Sequence, residues 1–64
     1  MNPQDLVGKS YTFEDGNTIE VIQVKDREEG PWVHYIIYMN NCLPRKLVMK
    51  YDEFINSYKH LFWA

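Results

Sequence analysis

The segment WVHYIIYMN, residues 32–40, limits the fold more than any other part of the chain. Read as a strand, it turns Trp32, His34, Ile36 and Tyr38 to one side and Val33, Tyr35, Ile37 and Met39 to the other. A strand that is apolar on both faces needs cover on both, which predicts an interior place in a sheet. Cover is scarce in a chain of 64 residues, because a domain of this size buries only about 60% of the surface its unfolded form exposes. The usual staples are missing as well. Cys42 is the single cysteine, and no His/Cys spacing suggests structural zinc. Dense aromatic packing or self-association must compensate, and aromatic residues make up 16% of the chain.

The remaining elements follow from local signals. Asn2-Pro3 reads as an N-cap and first helical residue, and the short turn Pro3–Val7 stops at Gly8. Ser10–Phe13 is β-compatible, with Tyr11 and Phe13 on one face, and Asp15-Gly16-Asn17 is a strong hairpin signal. Thr18–Arg27 reads as the second strand, with Ile19 and Val21 on one face and Ile22 and Val24 on the other. Glu28-Glu29-Gly30-Pro31 and Asn40-Asn41 supply the next two turns. A fourth strand is expected from Leu43 to Met49, with Pro44 and the lysines guarding a sheet edge.

From Phe54 onward, Phe54, Ile55, Tyr58, Leu61 and Phe62 fall on one helical face. Asp52 is the expected N-cap, while Lys59 and His60 complement the dipole at the other end. Trp63 is expected to pack back on the sheet or to face a partner. The fold class is therefore α+β, a single domain over residues 1–64. It is a four-stranded antiparallel meander with a C-terminal helix, able to curl into an SH3-like half-barrel.

Catalytic and metal chemistry find little support. Gly8-Lys9-Ser10 looks like the end of a phosphate-binding loop, but Pro3 stands where that loop needs glycine, and a strand follows rather than a helix. Cys42 with His34 or His60 has no spacing that suits a nucleophile and base or a metal site. The carboxylates at Asp26, Glu28 and Glu29, and at Asp52 and Glu53, have structural explanations as a solvated turn and a helix start. The expectation is a non-enzyme that needs no cofactor.

Two binding readings remain. One helix covers one side of a four-stranded sheet, so apolar surface is left over. This predicts a protein-interaction module that self-associates or binds a host protein through Trp32, Tyr35 and Tyr38. The alternative is nucleic-acid binding by an SH3-like domain, with Lys9, Arg45, Lys46 and Lys50 as the phosphate-binding set. The net charge of −2 speaks against it.

No run approaches the roughly 18 apolar residues of a membrane span, and MNPQDLVGKS lacks the pattern of a signal peptide. With one unpaired cysteine, the expected location is the cytoplasm. The runs YTFEDGNTIEVIQV, PRKLVMKYDEFI and HLF resemble short uncharacterised proteins of marine tailed phages and ocean metagenomes. That resemblance implies a protein made inside an infected bacterial cell, and it carries no function or active residues.

Overall fold

Asn2 caps a 3-10 turn, Pro3–Leu6, by accepting a hydrogen bond from the Gln4 amide on its side-chain oxygen. The computed structural model describes residues 2–62, apart from the side chains of residues 59, 60 and 62. Trp63 and the Lys59 and His60 side chains expected at the helix end therefore lie outside the described residues. After the turn come β1 (Ser10–Thr12), β2 (Thr18–Arg27), β3 (Gly30–Tyr38), β4 (Arg45–Lys50) and the helix α1 (Tyr51–Phe62).

The strands form one antiparallel sheet in the order β1-β2-β3-β4, so β3 is interior, as its doubly apolar sequence requires. The strands β1 and β4 are the two edges of an open sheet, which does not close into a barrel. At the β1–β2 hairpin, Gly16 takes a φ of 91°, and a Cβ there would stand 3.0 Å from the Asn40 side-chain nitrogen. That nitrogen donates to the Asp15 carbonyl, which ties the hairpin tip to the loop between β3 and β4.

One irregularity decides which residues share a face. Val21 pairs with Tyr35, yet Gln23 pairs with His34, so Ile22 is an inserted residue in β2. Such a bulge reverses the in-out alternation of everything that follows. Val24 thereby joins Ile19 and Val21 in the core, a correction to the strict alternation that set it with Ile22. Ile22 itself is half-buried and lies outside that core.

The core occupies the inner face of the sheet. Leu6, Ile19, Val21, Val24, Val33, Tyr35 and Phe54 are buried together, with Tyr51 and Tyr58 packed against them from the helix. The Tyr35 ring meets Phe54 edge-on at 5.4 Å between centres, and Phe54 lies 4.9 Å from Tyr58, its neighbour one helical turn on. Both the 3-10 turn and α1 cover this inner face.

Several boundaries differ from expectation. The third strand begins at Gly30 and ends at Tyr38, because Pro31 is tolerated near a strand start. The fourth begins at Arg45, and Leu43 is left 88% exposed in the preceding loop, where Asn41 has a φ of 62°. Pro44 thus precedes the edge ladder instead of interrupting it. The helix starts at Tyr51 directly after β4, which places Asp52 in the first turn and not at the N-cap. There it still faces the positive end of the dipole.

Candidate binding face

The outer face of the sheet has no helix or strand over it among the described residues. Its central row is the outward half of β3: Trp32, His34, Ile36 and Tyr38. Across the β2 ladder these residues stand opposite Lys25, Gln23, Glu20 and Thr18, and Arg27 follows Lys25 on the same side. Across the β4 ladder Trp32, His34 and Ile36 stand opposite Lys50, Val48 and Lys46. Lys25, Arg27, Lys46 and Lys50 are four of the chain's seven Lys and Arg residues. A molecule of net charge −2 thus gathers most of its basic side chains on one face, around an aromatic and apolar row.

The acidic groups near this row are already engaged. Glu20 accepts a hydrogen bond from the Tyr38 hydroxyl at 3.2 Å, and Glu29 accepts one from the Trp32 indole N–H at 3.1 Å. Backbone and indole hydrogen bonds hold the Glu29 carboxyl below its usual pKa, so it stays ionised. The Glu20 contact raises the Tyr38 hydroxyl, which remains a donor. The Lys50 ammonium sits 5.6 Å from the centre of the Trp32 ring, within cation–π range. Beside that ring lies an open hollow of about 210 Å³, lined by Arg27, Glu29, Trp32 and Val48.

The sequence-based partner set is brought together only in part. Trp32 and Tyr38 share the outer face, with Tyr38 39% exposed. Tyr35 is 3% exposed on the inner face against Phe54 and Tyr58, so it is a core residue and not a contact residue. Burial, with Tyr58 beside it, pushes its hydroxyl pKa up. The expected phosphate set divides as well. Lys46 and Lys50 lie outward on β4, Arg45 has the opposite parity, and Lys9 precedes β1 at the far edge. Lys25 and Arg27 take the places of Lys9 and Arg45. Sequence reading missed them because the bulge at Ile22 moves them from the core side to the outer side.

His34 is the anomaly of this face. It is 7% exposed, yet neither ring nitrogen has a hydrogen-bond partner. A histidine on an apolar strand face is ordinarily a hydrogen-bonded packing residue; this one packs, but unbonded. Among the described residues no helix or strand lies over it. Burial, then Lys25, Lys46 and Arg27, lower its pKa from 6.5. Below pH 6.5 the unfolded chain takes up a proton that folded His34 resists, so stability falls as pH drops toward the depressed folded-state value. His34→Phe should remove that part of the slope and stabilise the fold by about 1 kcal/mol at neutral pH, because an unpaired buried polar group is lost. Urea unfolding across a pH series checks this. Identical pH dependence in the two proteins would contradict it.

Among the described residues no group of three or more His, Cys, Asp or Glu side chains could hold a metal ion. Cys42 is exposed. None of the described helices is long and apolar enough to cross a membrane. No protein-family model, curated protein or solved structure matches the chain.

Proposed function

We propose that the protein is a non-enzymatic binding module that holds single-stranded nucleic acid on the outer face of its sheet. The observation that carries this reading is the gathering of Lys25, Arg27, Lys46 and Lys50 around Trp32, Ile36 and Tyr38. Unpaired bases stack on aromatic and apolar side chains while cations track the backbone, and a paired duplex offers only the second contact. The row from Trp32 to Tyr38 spans roughly 20 Å at the usual strand rise, enough for a site of about four nucleotides.

The same row was expected to serve self-association. Tyr35 is no longer available for that role, and face-to-face pairing would set the four cations of one copy against those of another. Like charges opposed across an interface cost affinity. A polyanion answers this face better than a second copy does.

Fluorescence anisotropy with a labelled oligothymidylate tests the reading. Four phosphate contacts on a single strand give a log–log salt slope of about −2.8, or roughly 50-fold weaker binding between about 50 and 200 mM salt. Tryptophan emission should quench on binding, and Trp32→Ala should weaken it by about tenfold, since each stacked base contributes about 1–3 kcal/mol. Absence of binding at low salt, or salt-independent binding, ends the proposal. A concentration-dependent dimer by sedimentation that Trp32→Ala dissolves would favour self-association instead.

A further inference from the structure

His34 makes a separate point about this face, one that builds on the strand-binding reading. Its imidazole is 7% exposed, with both nitrogens unpartnered, midway along β3 between Gln23 of β2 and Val48 of β4. A position that served packing alone would be better filled by an apolar side chain, because an unmet buried hydrogen bond costs about 1–3 kcal/mol. Among the described residues, charged and titratable groups come to this face from three strands and a turn. From β2 there are Glu20, Lys25 and Arg27; from β3, Tyr38; from β4, Lys46 and Lys50; and from the β2–β3 turn, Glu29. The helix and the 3-10 turn lie on the other side of the sheet. Of the two carboxylates, Glu20 is bonded to Tyr38 and Glu29 to Trp32. What the imidazole lacks is an anionic oxygen, and cations surround the place where one would sit.

We propose that His34 is the phosphate-contacting residue at the floor of the binding face, donating an imidazole N–H to a phosphodiester oxygen held between Lys25 and Lys46. Both lysines are exposed, on flexible side chains that can swing aside to seat the phosphate. A phosphate is the fitting class of ligand because it accepts the N–H and neutralises the surrounding positive field in one contact. A neutral base edge would do only the first.

Proton linkage follows from this contact. In the free protein, burial and the neighbouring cations favour the neutral ring. A bound phosphate opposes the cations and favours the imidazolium, so the complex holds its proton to higher pH than the free protein. Affinity therefore rises as pH falls through the bound-state value and levels off below the free-state one. Each unit of pKa displacement is worth tenfold in affinity.

The experiment compares the unmodified protein, His34→Phe and His34→Gln for oligothymidylate binding at fixed salt between about pH 8 and 5, the range a histidine spans. The His34 titration is also followed by imidazole NMR, with and without the oligonucleotide. The unmodified protein should tighten about tenfold over this range. His34→Gln keeps a donor, so it should bind about as well as the unmodified protein at high pH yet lack the extra pH slope. His34→Phe, which should fold at least as stably, should bind more weakly at every pH. The His34 titration should move to higher pH when the oligonucleotide is present. Contributions from His60 and the N-terminal amine cancel in the comparison. Equal slopes in all three proteins, or a His34 titration unmoved by ligand, overturn this inference and leave strand binding intact. No binding by the unmodified protein at any salt overturns both.

Discussion

Phe54→Ala should leave the protein largely unfolded at room temperature. The Phe54 ring is fully buried where the helix packs on the sheet, against Tyr35 and Tyr58, among seven buried apolar side chains of the described residues. Truncating a buried phenylalanine costs about 3–5 kcal/mol, through lost transfer energy and the cavity left behind. A chain of 64 residues has roughly 3–10 kcal/mol of total stability, and with a single cysteine, hence no internal disulfide, it belongs toward the lower end. The substitution therefore removes most or all of it. Far-UV circular dichroism and urea titration give the answer directly. Phe54→Leu, which keeps most of the volume, should stay folded at a cost of about 1–2 kcal/mol. Leu43→Ser, at an 88% exposed loop position, should change stability by less than about 0.5 kcal/mol. A cooperative Phe54→Ala transition within about 10 °C of the unmodified protein would mean that the core is not organised around this ring.

That ring was legible in the sequence, and so was most of the scaffold. Phe54 and Tyr58 stand at helical spacing, Asp15-Gly16-Asn17 announces a hairpin, and a strand apolar on both faces has to be interior. Periodicity and turn chemistry are local properties, which explains why one sequence suffices to read them. The helix start was misplaced by two residues because Asp52 suits a cap and a first turn equally well. Tyr35 shows a different limit. Alternation set it on the opposite face from Trp32, Ile36 and Tyr38, but not which face the helix would cover, and α1 chose the Tyr35 side.

The proposed binding face was the least legible feature, and a single residue is the reason. Unbroken alternation along β2 places Lys25 and Arg27 with Ile19 and Val21, pointing at the helix. The bulge at Ile22 exchanges Val24 for Lys25 across the sheet, and this one shift both completes the core and gathers the cations around Trp32 and His34. The only hint in the sequence is the run Val21-Ile22-Gln23-Val24, where strict alternation would leave Gln23 inside and Val24 outside. A polar residue at a core position beside an apolar one at a surface position is the conflict that an inserted residue relieves.

Lys25→Glu combined with Lys46→Glu should abolish oligonucleotide binding, with a fall on the order of 100-fold at low salt and a log–log salt slope shallower by about 1.4, as expected for two lost phosphate contacts. These lysines flank His34 from β2 and β4, so a charge reversal there reaches the middle of the face. The matched control is Lys9→Glu with Arg45→Glu, which lowers the formal net charge by the same amount but alters residues that lie off the outer face. If binding depends on where the charge sits, the control should hold affinity to within about threefold; if only total charge matters, both double variants lose binding alike. Stability should change little, because both lysines are exposed and their reversal relieves a like-charge cluster. His34 supplies an internal check on the arrangement that needs no ligand. Lys25 and Lys46 both depress its pKa, so the double reversal must raise it, while burial, the larger cause, still holds it below 6.5 unless the new carboxylates reach the ring. A His34 titration that does not respond to Lys25→Glu would place Lys25 on the other side of the sheet. The bulge at Ile22, and the proposed binding face built on it, would then be wrong together.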